Sequence, residues 1–153
     1  MVRDIPVSFD VKGVSVPRCR LFYHLVWSTR GREPIIVRSI EEHVHQQLRS
    51  VALRHGVEVH AIGGVEDHVH LAVSIPPSLS VADAVRRIKG ASSRALGIEY
   101  GPEFGWQQEY SADSISRRNL PAVVTYIVNQ RQHHDDQTTI AAAEPITDRR
   151  PKP

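Results

Sequence analysis

Two alternating segments, VEVHAIG at 57–63 and DHVHLAVSI at 67–75, are separated by three residues, Gly64 to Glu66. A connection this short joins antiparallel strands only, because a parallel pair needs a crossover of a dozen or more residues. The chain therefore carries a central β-hairpin, and everything else must pack around it. Upstream, RCRLFYHLVWS at 18–28 alternates and is rich in β-prone types, so it reads as a strand. Arg30, Gly31, Arg32 and Pro34 follow as a basic loop. Ser39 then suits a helix N-cap, with Glu41 and Glu42 in the first turn, where the helix dipole favours acids. Val44, Leu48, Val51 and Leu53 form that helix's apolar stripe, and Gly56 ends it.

Beyond the hairpin, Ser80 caps a second helix running to about Leu96, with Val81, Ala84, Val85, Ile88 and Ala91 on one face and Gly97 at its close. Residues 104–112 contain Phe104, Trp106 and Tyr110 and read as a fourth strand. Leu120 and Pro121 open a third helix reaching about His134. The order strand, helix, strand, strand, helix, strand, helix predicts an α+β, ferredoxin-like split βαβ fold. Its four-stranded antiparallel sheet has helices on one face, plus a C-terminal helix that bears Tyr126. Residues 1–17 read as an N-terminal arm and 18–137 as the domain. Residues 138–153 read as a disordered tail, because the apolar pattern stops after Asp136 and three prolines follow within 141–153.

The 153 residues suit one domain, and 41% hydrophobic content supports a core. A formal net charge of +2 does not by itself point to nucleic acid. No stretch approaches the ~20 apolar residues of a spanning helix, and the N-terminus lacks a signal-peptide apolar region. The one cysteine, Cys19, rules out an intrachain disulfide and is expected as a small core residue. These features lead to the expectation of a cytoplasmic protein.

Chemistry concentrates in two places. In Asp67-His68-Val69-His70-Leu71, residues two apart in a strand share a face, so His68 and His70 present their imidazoles side by side. Neutral imidazole binds divalent metals, but two ligands are too few, and with nine histidines in the chain a chance pair is the competing reading. Asp67 either orients a ligand histidine or ends the turn; the turn is favoured, and Glu66 is expected to be solvated. In Tyr126-Ile127-Val128-Asn129-Gln130, Tyr126 and Gln130 are i and i+4 and share a helix face. A tyrosine packed at a helix–sheet junction and a surface glutamine would satisfy the same pattern.

Together these segments resemble the single-tyrosine HUH transposases of bacterial and archaeal insertion sequences, the IS-two-hundred-like family, with the REP-associated tyrosine transposases as near relatives. Tyr23-His24-Leu25-Val26-Trp27-Ser28-Thr29 with Arg32 and Pro34 resembles the family's first strand and basic loop, and Gly63 to Leu71 its hairpin. Trp106-Gln107 and Tyr110 resemble its fourth strand. Tyr126-Ile127-x-Asn129-Gln130-x-x-His133-His134 is closer to the insertion-sequence branch. The resemblance covers about residues 18–137; the arm and tail lie outside it.

The resemblance implies that His68, His70 and Gln130 hold Mg²⁺ or Mn²⁺, with His133 and His134 as rivals to Gln130. It implies that Tyr126 attacks phosphorus to give a 5′-phosphotyrosine, on single-stranded DNA with hairpins. It also implies a homodimer in which the tyrosine helix of one subunit completes the site of the other across a joint at 114–119; the alternative is a helix packed on its own sheet. Basic side chains expected to track phosphates are Arg18, Arg20, Arg30, Arg32, Arg86, Arg87, Lys89 and Arg94, although for Arg86 and Arg87 a plain solvated helix face is as good a reading. Trp27 and Trp106 can stack on bases but sit in strand patterns that favour the core. Two other functions remain open: a domesticated relative that binds hairpin DNA without mobilising it, and a two-histidine metal nuclease using water.

Overall fold

The computed structural model describes residues 19–144; the arm at 1–17, Arg18 and the tail beyond 144 lie outside the described residues. Eight main elements follow in order: β1 (Phe22–Ser28), α1 (Arg38–Arg54), β2 (Glu58–Val65), β3 (His68–Ser74), α2 (Val81–Tyr100), β4 (Ser111–Ile115), α3 (Leu120–Val128) and α4 (Gln130–Asp135). The sheet order is β2-β3-β1-β4 with every pairing antiparallel, which is the ferredoxin-like split βαβ topology expected from the sequence. Among the described residues no helix is long and apolar enough to cross a membrane.

The hairpin turn is the two residues Glu66 and Asp67, with Val65 paired to His68. Alternation then sends Val69, Leu71 and Val73 to one face of β3, where they join Leu25, Trp27 and Ile62 beneath α1 and α2. Val44, Leu48 and Val51 of α1 and Ala84, Val85 and Ile88 of α2 close this main core. The other face carries His68, His70 and Ala72 and is covered by α3, whose Ile127 packs on Ala61 and Ala72.

Several expectations shift. The aromatic run 104–112 is a packed loop, and the fourth strand is Ser111–Ile115. Phe104 and Trp106 are buried: Trp106 donates Nε1–H to Ser92 Oγ at 2.8 Å and makes an isolated bridge with Thr29. Lys89 donates to the carbonyls of Gln108 and Glu109, fastening the loop to α2. Cys19 is exposed, because β1 begins only at Phe22. α1 starts at Arg38 with Val37 at the cap position and no side-chain cap, so Ser39 does not serve as one. Leu53 is 75% exposed, since Ala52 takes the inward position and the next residue lies about 100° further round the helix. α2 is capped by Ser80 Oγ as expected, but runs past Gly97 to Tyr100. The third helix is two, interrupted at Asn129 (φ −100°, ψ 18°). Residues 138–144, read as tail, include a 3₁₀ turn at Ala141–Ala143 and bring Glu144 back to the sheet.

α3 approaches the sheet over Gly63. A Cβ there would stand 1.8 Å from the Ile127 carbonyl oxygen, a backbone atom that cannot turn aside. Gly63→Ala should therefore destabilise the protein by about 1–3 kcal/mol, the usual cost of overpacking. Gly90→Ala is the control: within α2 its Cβ meets nothing within 4 Å, and removing a helix-interior glycine should stabilise by about 0.5–1 kcal/mol. Urea denaturation midpoints moving in the same direction for both would contradict this account of Gly63.

Candidate functional site

Residues distant in sequence converge beneath α3 and α4. His68 and His70 are 1% and 0% exposed, and their ring centroids lie 5.0 Å apart. Both are shielded by the helix that the small side chains of β2 and β3 admit. Each imidazole is fixed through its Nδ1. His68 Nδ1 pairs with Asp67 Oδ1 at 2.7 Å, and Asp67 Oδ2 accepts from Arg32 Nε at 3.1 Å. His70 Nδ1 pairs with His24 Nε2 at 2.9 Å. When His68 and His70 donate through Nδ1, their Nε2 lone pairs are left for a ligand, the usual outer-partner arrangement of metal-bound histidine. Asp67 therefore combines the turn role with the orienting role.

Arg32 holds its place in a left-handed conformation (φ 56°), which costs a non-glycine residue about 1–2 kcal/mol, so its bond to Asp67 is maintained against backbone preference. His24 is 5% exposed and entered the sequence argument only as part of the first-strand resemblance. Its same-face position was legible from alternation in 18–28; its pairing with His70 depends on the β1–β3 register, which sets His24 opposite Ala72 and Val26 opposite His70.

Tyr126 lies on α3, half-buried, stacked on His133 at 4.7 Å between centroids and edge-on to His70 at 6.2 Å. Its hydroxyl donates to Glu144 Oε1 at 2.5 Å and accepts from the Ile140 N–H at 3.0 Å. The other carboxylate oxygen of Glu144 lies 3.3 Å from His68 Nε2, 3.6 Å from His70 Nε2 and 3.4 Å from His134 Nε2. Gln130 is 1% exposed, at the head of α4. α4 is held by Arg131, which reaches Glu41 at 3.0 Å and Glu66 at 2.5 Å, so Glu66, still partly solvated in the turn, is also an ion-pair partner.

Among the described residues, the buried side-chain amide atoms of Gln130 make no well-formed hydrogen bond, and the buried Nε2 atoms of His68, His70 and His134 have only the Glu144 carboxylate before them. Unpaired buried polar atoms are costly, and a cluster of them with ligating lone pairs fits a divalent cation. One atom from each of His68, His134 and Glu144 falls within 4.8 Å of the others, an arrangement that can hold a metal ion. His134 thus joins the cluster, whereas His133 is engaged with Tyr126 and with Thr138 Oγ1 at 3.0 Å. Glu144 was invisible to sequence reasoning, which ended the domain before it.

Electrostatics divide the two strand histidines. Burial pushes the His68 pKa down, but hydrogen bonds to Asp67 and Glu144 outweigh it and hold the pKa above 6.5. Burial wins at His70, helped by the neighbouring His68 and His134, and keeps it below its ordinary value. Burial and then His70 lower His24 to about 4. Burial and the bond to Glu144 raise Tyr126. Burial would raise Glu144, yet its bonds to His68, His70 and Tyr126 keep it well below the carboxylate range.

The basic residues expected to contact DNA do not share one surface. Arg30 is exposed, its guanidinium lying over Gly105. Arg20 is partly buried before β1, and Arg32 is engaged with Asp67. Arg86 pairs with Asp83. Arg87 and Arg94 lie seven apart on an exposed stripe of α2, on the sheet face opposite the histidines, and Lys89 is half-buried against its loop. Trp27 and Trp106 are core, packed edge-to-face at 6.1 Å.

The helix that bears Tyr126 thus lies over the His-x-His strand of a ferredoxin-like sheet. The family model described as transposase IS200 like matches residues 18–130, and the chain belongs to this transposase family. It is 29% identical over 126 residues to the ISDra2 transposase TnpA of Deinococcus radiodurans, covering 77% of this chain and 87% of that one. It is 26% identical over 129 residues to the transposase for insertion sequence element IS200 of Salmonella typhimurium, covering 79% and 84%. A crystal structure of a putative transposase from Deinococcus radiodurans superposes with a TM-score of 0.62 at 27% identity, over 78% of this chain and 97% of that one. The fold is shared with a REP-associated tyrosine transposase bound to a REP hairpin, with a TM-score of 0.58 at 17% identity, over 79% and 74%.

The Asp67–His68 bond can be tested in the protein free of DNA and metal. His68 with a raised pKa stabilises the fold fully below its unfolded value near 6.5, and that contribution fades as pH rises through the folded value. Asp67→Asn removes the charge, so the NMR titration of His68 should move to lower pH. An unchanged titration would show that Asp67 does not govern this ring.

Proposed function

We propose that this transposase cleaves and rejoins single-stranded DNA through Tyr126, with His68, His70 and Gln130 holding Mg²⁺ or Mn²⁺. The observation that carries the reading is the convergence of the Tyr126 hydroxyl and the buried Nε2 atoms of two strand histidines on one point, now held by the Glu144 carboxylate. A divalent ion bound there would supply polarisation of the scissile phosphate and offset its growing charge. His68 and His70 are turned toward it by Asp67 and His24. The Tyr126 oxygen bonds to phosphorus as the bond to the 3′-oxygen breaks; the phenolic proton leaves and the 3′-oxygen takes one up. A 5′-phosphotyrosine and a free 3′-hydroxyl result. One phosphodiester has replaced another, so the reversal that reseals DNA needs no ATP.

A single-stranded hairpin oligonucleotide with Mn²⁺ should give a protein–DNA adduct on a denaturing gel. Tyr126→Phe should give none, and His68→Ala or His70→Ala should slow cleavage by at least about 100-fold, the scale of losing a group that stabilises developing charge. Free cut ends without an adduct would instead indicate water as nucleophile, and retardation without cutting would indicate a binding module. Full cleavage in excess chelator would remove the metal role.

The partner-completed site expected from the resemblance is not what the described chain displays. α3 lies on its own sheet, and Tyr126 reaches the His70 of its own chain. This is the self-contained alternative, in which one chain would complete the site; a homodimer that exchanges its tyrosine helices would build the same site from two copies. Mixing Tyr126→Phe with His68→Ala under subunit exchange should leave cleavage absent, because each centre stays broken. Recovered cleavage would mean that the tyrosine helix crosses between copies during the reaction.

A further inference from the structure

Resting on the metal reading above, we propose that Glu144 is a carboxylate ligand to the divalent ion in the DNA-free protein, seated where the scissile phosphate goes and exchanged for it when DNA binds. His68, His70 and Gln130 are neutral as ligands, and Mg²⁺ and Mn²⁺ favour anionic oxygen. Among the described residues, Glu144 is the anion on the Nε2 side of the cluster: Oε2 faces the Nε2 atoms of His68, His70 and His134 at 3.3, 3.6 and 3.4 Å. Neighbouring ligands of an octahedral ion at ~2.1 Å stand about 3 Å apart, so these separations are of the right order for donors around a shared cation. One carboxylate oxygen thus faces three imidazole nitrogens at once, the convergence that donors around a shared cation show.

The second oxygen identifies the seat. Glu144 Oε1 accepts the Tyr126 hydroxyl at 2.5 Å, so one planar anion joins the histidine cluster to the nucleophile. A phosphodiester about to be attacked must do the same, placing one oxygen at the cluster and its phosphorus against the tyrosine. Both cannot occupy the seat together. The segment that delivers Glu144 is held lightly, by Ile140 N–H to Tyr126 Oη at 3.0 Å and by Thr138 N–H to the His133 carbonyl at 2.8 Å, alongside the Thr138–His133 side-chain contact. Displacing it breaks few bonds and opens none of the main core.

Mn²⁺ binding to the full-length, DNA-free protein, followed by the electron paramagnetic resonance of free Mn²⁺, tests this without catalysis. Glu144→Ala should weaken binding at least about tenfold, the lower end of what losing even an outer partner of a metal site costs. Glu144→Gln, which keeps an oxygen but not the charge, should fall between Ala and wild type. Unchanged affinity in Glu144→Ala overturns the proposal. His68→Ala separates the two readings: if it weakens binding while Glu144→Ala does not, only the carboxylate ligand is lost. If neither weakens binding, the histidine metal site itself has failed. With a saturating uncleavable hairpin oligonucleotide present, wild type and Glu144→Ala should bind Mn²⁺ alike, because phosphate then fills the seat. A deficit that persists with DNA would make Glu144 a permanent ligand and overturn the exchange.

Discussion

The close approach of a helix to a sheet across Gly63 governs the rest of the structure. A four-stranded sheet with two helices beneath it has one covered face and one open face. Here the open face is floored by Gly63, Ala61 and Ala72, so the backbone of α3 can descend until Ile127 is fully buried. That descent removes His68 and His70 from water and brings Tyr126 beside them. Larger residues in the floor would hold the helix away, and the imidazoles would be ordinary solvated side chains on an exposed strand. The chemistry of the site thus depends on three small residues that have no chemistry of their own.

Burying polar groups this way must be offset locally. The site does it with chains of partners that stop one atom short of the centre. Arg32 holds Asp67, Asp67 holds His68, and His24 holds His70, so the Nδ1 atoms of both strand histidines are satisfied while their Nε2 atoms face inward to Glu144. Arg131 does the same mechanical work for α4, joining it to Glu41 on α1 and Glu66 at the hairpin turn. The interruption at Asn129 lets α4 leave the line of α3, so that Gln130 and His134 turn under while Tyr126 stays at the mouth.

Most of the fold was legible because alternation and helical periodicity are local. The hairpin, both long helices and the shared face of His68 and His70 follow from spacing alone. What failed depended on non-local packing. Aromatic residues at 104–106 are β-prone because they are buried, and nothing local separates burial from pairing; the strand they seemed to mark is the polar SADSI that follows. Cys19 and Leu53 looked inward for the same reason and are exposed. The partnership of His24 with His70 needed a strand register, and that of Glu66 with Arg131 needed a helix placement 65 residues away. Glu144 stood past the last periodic residue, where pattern carries no signal.

A centre assembled from neutral donors faces an electrostatic conflict before its substrate arrives. The lone pairs that will face a cation repel one another, and the nucleophile beside them must remain a phenol until phosphate is in place. An anion from the protein's own chain resolves both at once. Glu144 faces the imidazoles with an anionic oxygen and accepts the Tyr126 hydroxyl, and burial together with that bond keeps the tyrosine above its ordinary pKa. In the proposed exchange a phosphodiester would take that place with the same charge at the imidazoles, while its phosphorus and not a carboxylate oxygen would face the phenol. On the proposed exchange, the tyrosine would be freed to react by the arrival of the group it attacks, so activation and substrate binding would be the same event.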